Sequence, residues 1–195
     1  FKRNYILVPL EVFGKNPYKQ SLQAIAYKTL ISTLLSSRTR DDLTLVRSKE
    51  LFKKADSFEK LKKLSLETIQ KTIYPVGFYK TKAKHLKKLA NAIAKVPKTR
   101  EELMKLPGVG RKTANLVLNR AFGIPAIAVD THVHRICNVL GWVQTKTPEQ
   151  TEKELIKIIP EEYWSDMNRL FVSIGRQYTT NKRLTEFLKK EKLIN

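Results

Sequence analysis

A chain of 195 residues with 42% hydrophobic residues can bury a core, which excludes a disordered polyelectrolyte despite a formal net charge of +20. The excess of Lys and Arg points to a polyanionic partner, and without an apolar run of about 18 residues no membrane-spanning helix is expected. The one cysteine, Cys137, excludes an internal disulfide and any site that needs several thiolates of this chain.

Apolar residues recur at helical spacing almost throughout, and the glycines and prolines fall between the periodic segments. No alternation of strand type is sustained, so an all-α protein is expected. In chain order, helices are predicted over about 21–36, 41–54, 58–63, 66–73, 80–95, 100–105, 111–121, 131–140, 148–158, 161–175 and 182–192. Asp41 and Asp42 suit the positive end of the second helix. Phe78 and Tyr79 fall in a turn before the fifth, where they read either as local packing or as an apolar wedge. Thr99 with Glu102, and Thr147 with Gln150, have capping-box spacing, and Pro148 suits a first helical position. Three apolar stripes mark core faces: Ala83, Leu86, Ala90 and Ile93; Val133, Ile136, Cys137 and Leu140; and Trp164, Met167, Phe171 and Ile174. Cys137 lies on such a stripe and reads as packing.

Residues 103–121 read as helix, tight turn, helix. Pro107 stops the first helix, while Gly108 and Gly110 permit unusual backbone angles and leave their amides uncovered. Leu106, Gly108, Val109, Gly110 and Arg111 thus bring bare N–H groups to a helix N-terminus, which is an anion site. In the second helix Ala114, Val117, Leu118 and Ala121 form the buried stripe, and Lys112, Asn115 and Asn119 fall on another side. Lys112 reads either as a solvated charge or as an amine nucleophile. The helix N-terminus and Arg111 both disfavour added positive charge there, and a neutral amine can attack a sugar C1′.

Residues 124–132 run apolar until Asp130 and then turn helical. Asp130 suits an N-cap that accepts from the N–H of His132 or Val133. It equally suits a carboxylate that steadies positive charge on a sugar as a base departs and helps move a proton from an amine. The two uses are compatible. His132 reads as a phosphate contact, with a surface or hinge histidine as the alternative.

The string LPGVGRKTANLVLNRAFG with IAVDTHVHRICN closely resembles the endonuclease III family of DNA glycosylases, in the helix-hairpin-helix superfamily. The likeness extends to LISTLLSSRTRDD, to VGFYKTKAKHL and to Gly175-Arg176. It implies an all-α fold of two helical lobes with a DNA-binding cleft between them. One lobe would span 20–124, with the helix-hairpin-helix at about 103–121; the other would combine 1–19 with 125–195. It also implies Lys112 as Schiff-base nucleophile, Asp130 as catalytic carboxylate and the 106–110 turn as the phosphate grip. Relatives that only remove bases lack a lysine at that place. The expected function is therefore a bifunctional DNA glycosylase and abasic-site lyase of base excision repair, acting on oxidised pyrimidines and abasic sites in double-stranded DNA. A monofunctional mismatch glycosylase and a non-catalytic helix-hairpin-helix DNA-binding protein are the alternatives. A monomer is expected, with no membrane association, inside the cell with the chromosomal DNA, in the cytoplasm of a prokaryote.

Two departures stand out. The family usually carries four cysteines after the Gly-Arg pair that hold an iron–sulfur cluster; here that segment reads GRQYTTNKRLTEFLKKEKLIN. The expectation is no iron–sulfur cluster, no other metal and no cofactor. Lys182, Arg183, Lys189 and Lys190 there read as a solvated face or as a DNA-facing substitute. Arg38 stands where the bacterial type has a glutamine that fills the gap left by a flipped base. A planar guanidinium can stack in that gap and hydrogen-bond the orphaned partner. Asp41 also matches the family and joins the expected DNA-contacting set. The chain begins at Phe1 rather than Met, which leaves the native N-terminus open.

Overall fold

The computed structural model describes residues 21–194. Among them are α1 (Leu22–Ser36), α2 (Asp41–Lys54), α3 (Phe58–Lys63), α4 (Leu66–Ile73), α5 (Tyr79–Ala92), α6 (Arg100–Met104), α7 (Arg111–Phe122), α8 (Thr131–Val139), α9 (Pro148–Ile158), α10 (Trp164–Gln177) and α11 (Asn181–Lys190), and no strand. The all-α expectation holds.

The helices start where the sequence offers a hydroxyl. Ser21, Ser57, Ser65, Thr99, Thr147 and Thr180 are N-caps whose side chains accept a first-turn N–H. Each such bond contributes about 1 kcal/mol. Thr147 and Gln150 complete a reciprocal capping box behind Pro148. The expected box at Thr99 is only half formed, because the Thr99 hydroxyl donates to Glu102 Oε2 at 2.7 Å.

The described residues fall into two compact units that meet in sequence between Ile124 and Pro125. The expected assignment of residues 1–19 to the second lobe lies outside the described residues. In the first unit α1 is the central element: from Ala26 to Leu35 it is buried on nearly every side, and it packs on α7, α2 and α5. A helix apolar all round has to be interior. Tyr27 meets the edge of Phe58 at 4.8 Å, and its hydroxyl donates to Ala55 O at 2.9 Å, so its polar tip is satisfied where it is buried. The second unit gathers α9, α10 and α11 around α8, with Val133, Ile136, Cys137, Phe171, Leu184 and Leu188 in its core.

Two predicted helices need correction. The fifth ends at Ala92 rather than near 95. Gln23 holds both backbone groups of Val96, accepting from its N–H at 2.8 Å and donating to its carbonyl at 3.3 Å, which keeps the chain extended ahead of Pro97. The segment predicted as one helix over 161–175 begins instead with a 3-10 turn, Glu161–Tyr163. The Trp164 indole donates to Ile159 O at 2.8 Å and ties that turn back across Pro160. No helix among the described residues is long and apolar enough to cross a membrane.

Candidate nucleic-acid interface and active site

The hairpin forms as the glycines require. Val109 N–H donates to Leu106 O at 3.1 Å, and Gly108 takes φ +79°, a left-handed angle that a side chain resists. Gly110 is the N-cap of α7 and offers no side-chain cap, so the first-turn amides of α7 have no capping oxygen from it. The side chains of Leu106 and Val109 are buried, which anchors the turn and leaves their backbone as the part that can meet a ligand. Arg111 and Lys112 follow in the first turn of α7, both half-buried. The side of α7 that carries Lys112 is not uniformly open. Asn115 is fully buried, and Arg100 Nε donates to its Oδ1 at 2.8 Å, so a neighbour from α6 satisfies a polar group inside the core.

Asp130 is the N-cap of α8. Its Oδ1 accepts from the N–H of both His132, at 2.9 Å, and Val133, at 3.0 Å. Donation from two amides fixes the carboxylate in one orientation. Lys112 belongs to the first unit and Asp130 to the second. His132 is placed by packing: its ring lies against Gly175, where a Cβ would collide with it. Asp41 sits in the first turn of α2, after the N-cap Arg40.

Arg38 and Phe78, 40 positions apart in sequence, are brought together in the first unit. The Arg38 guanidinium stands over the Phe78 ring at 5.3 Å from its centroid, a cation–π contact. Both are in the left-handed region, at φ +51° and +56°, which costs on the order of 1–3 kcal/mol each. Phe78 is 61% exposed although it is a large apolar side chain. The pair borders a cavity of about 330 Å³ that Leu34, Thr81, Lys82, His85 and Gly108 also line.

Two residues here escaped sequence reasoning. His85 packs against the hairpin, with Nδ1 2.6 Å from where a Cβ on Gly108 would stand. Lys82 is 7% exposed, and burial pushes its ammonium down to about 8. Neither carried a local signal, because α5 also holds Lys80, Lys84, Lys87 and Lys88, and only tertiary contacts set Lys82 apart.

The residues present do not fit a thiolate-held iron–sulfur cluster. In the segment where the resemblance would place four cysteines, Tyr178 stacks on Phe187 at 4.2 Å, and Leu184 and Leu188 enter the core. Arg135 donates to Tyr178 O at 2.6 Å and Gly175 O at 3.2 Å, fixing the start of that segment. Cys137 is fully buried on α8, and burial pushes its thiol up to about 12, which disfavours a thiolate ligand.

Comparison with known proteins agrees with this geometry. The HhH-GPD superfamily of base excision DNA repair proteins matches residues 31–161. Endonuclease III of Thermotoga maritima is 47% identical over 156 residues, which cover 77% of this chain and 73% of that protein. Endonuclease III-like protein 1 of Gallus gallus is 39% identical over 180 residues; 87% of this chain is covered, and the match spans 64% of that longer protein. Among solved structures, a trapped endonuclease III–DNA covalent intermediate, an estranged-adenine complex, superposes with a TM-score of 0.76 at 37% identity, over 87% of this chain and 84% of that one. A glycine hairpin opening a helix with a lysine in its first turn, a capped aspartate on the next helix and these likenesses agree: the chain belongs to the HhH-GPD superfamily of base excision DNA repair proteins, and within it to the endonuclease III family.

Proposed function

We infer that this protein is a bifunctional DNA glycosylase and abasic-site lyase, acting as a monomer on duplex DNA that carries oxidised pyrimidines or abasic sites. The observation that carries the reading is Lys112, in the first turn of a helix entered through the glycine hairpin. Hairpin amides and Arg111 grip a phosphate near the lesion. Arg38 enters the gap left by the flipped nucleotide, and Phe78 wedges beside it; Asp41 and His132 serve as outer contacts. The Lys112 amine attacks C1′ as the N-glycosidic bond breaks, and the base leaves with the electron pair. Asp130, held in place by its two amide donors, steadies the developing positive charge and accepts a proton from the attacking amine. The aminal nitrogen then expels the ring O4′, which takes up the proton held by Asp130, and the resulting Schiff base acidifies C2′. Loss of that proton expels the 3′ phosphate, and water releases Lys112. A relative captured as a covalent DNA intermediate supports a covalent step.

Borohydride reduces such a Schiff base to a stable amine. Wild type is expected to form a protein–DNA adduct on an abasic duplex, and Lys112→Ala to form none; equal adduct yields would overturn the assignment. Asp130→Asn is expected to keep DNA binding while losing roughly a hundredfold in turnover. Base release without strand cleavage would establish a monofunctional enzyme instead, and binding without either reaction a non-catalytic module.

A further inference from the structure

Lys82 is a buried cation that the chemistry above does not use. It is 7% exposed, and its Nζ donates to Leu35 O at 2.8 Å, to Ser37 O at 2.6 Å and to Thr39 Oγ1 at 3.2 Å. A buried ammonium is costly, and packing alone would favour an apolar side chain of the same length. The expense therefore secures something that packing does not. The groups it grips are the Leu35 carbonyl in the last turn of α1, the carbonyl of the C-cap Ser37 and the turn that follows. A cation there also suits the negative end of the helix.

That turn carries Arg38. It is fastened a second time, because Gly77 N–H donates to Thr39 Oγ1 at 3.2 Å, and a Cβ on Gly77 would strike the Arg38 carbonyl oxygen. The turn over 37–39 and the turn over 76–78 are thus zipped together through one ammonium and one hydroxyl. Above the zip stand the two left-handed residues, Arg38 and Phe78, with guanidinium over ring. Left-handed angles in two bulky residues persist only where surrounding contacts over-determine them. Lys82 and Thr39 provide those contacts.

We propose that Lys82 is a positioning residue for base eviction: it clips the Arg38 turn to α5, so that Arg38 and Phe78 enter the duplex as one preformed wedge. The inference rests on the DNA-repair reading given above. Its physical logic is preorganisation. A loose arginine and a loose turn would have to be ordered while the duplex is being opened, whereas a clipped pair has already lost that freedom. The clip matters only when a nucleotide has to be extruded from a duplex and the bases around it, the opposite one included, unstacked. It has no part in the attack of Lys112 on a sugar that is already accessible.

The test compares an abasic site in a duplex with the same site in a single strand, using the full chain. Lys82→Met keeps length and apolar bulk and removes the donors. It is expected to lose about tenfold to a hundredfold in single-turnover cleavage of the duplex, since small misplacements cost that much. On the single strand its cleavage and borohydride trapping are expected to stay within about twofold of wild type. An equal loss on both substrates would mean general destabilisation and would overturn the proposal, as would no loss on either. Should Lys82→Met fail to fold, Thr39→Val decides: it severs both the Lys82 and the Gly77 bonds and is expected to show the same duplex-selective loss. A readout without chemistry separates this idea from the lyase reading. With 2-aminopurine placed opposite a tetrahydrofuran site, wild type is expected to raise the fluorescence by unstacking, and either variant to raise it less. A wild type that cleaves neither abasic substrate overturns the lyase reading, and the fluorescence comparison still decides the clip.

Discussion

At Gly77 and Gly175 glycine serves closeness rather than turning. Gly77 leaves room for the Arg38 carbonyl and Gly175 for the His132 ring, whereas nothing lies within 4 Å of a Cβ on Gly110. The two kinds of site predict opposite mutants. Gly77→Ala sets a methyl against backbone that cannot swing aside, and is expected to cost about 1–3 kcal/mol in denaturant unfolding. Gly110→Ala, at an ordinary φ of −96°, is expected to unfold within about 0.5 kcal/mol of wild type, so that any effect appears in DNA affinity alone. At this scale the sequence was legible wherever the signal was local. The Asp130 cap and the hairpin glycines follow from a few consecutive residues. The burial of Asn115 was not legible, because helical phase places it beside Lys112 while its partner Arg100 comes from another helix. Arg38 over Phe78 and His85 against Gly108 were illegible for the same reason, being contacts across long stretches of chain.

Helix boundaries were readable from caps and prolines, and they failed where a tertiary contact intervened. Gln23 on Val96 shortened α5, and Trp164 on Ile159 split the start of α10. The C-terminal helix shows what an element gains from its neighbours. Outside the core α11 is strongly basic, yet Leu184 is fully buried and Leu188 nearly so, both against the same cluster as Cys137. Leu184→Ala is expected to destabilise the protein by about 2–5 kcal/mol through the cavity it leaves. Cys137 supplies the readout. Its thiol, buried and held far from the thiolate form, is expected to react with a thiol reagent only as the second unit opens, and at lower denaturant in Leu184→Ala. Rapid labelling of the native wild type would contradict the burial.

For the whole molecule, composition foretold the partner class better than any single residue did. With a formal net charge of +20, each Lys or Arg that neutralises a phosphate releases a counterion from the DNA. Affinity for duplex DNA is expected to fall linearly on a log–log plot against salt, with a slope of about 0.9 per phosphate neutralised. Titrations at several salt concentrations check this, and a flat response would remove charge as the source of binding. The division at Ile124 and Pro125 has a further use, in optics. Both tryptophans, Trp142 and Trp164, lie in residues 125–194, where Trp142 leans on Phe171 at 5.8 Å. Red-edge excitation therefore lights one unit and leaves the other dark, so the emission reports the folding of the part that holds Asp130 and is blind to the part that holds Lys112.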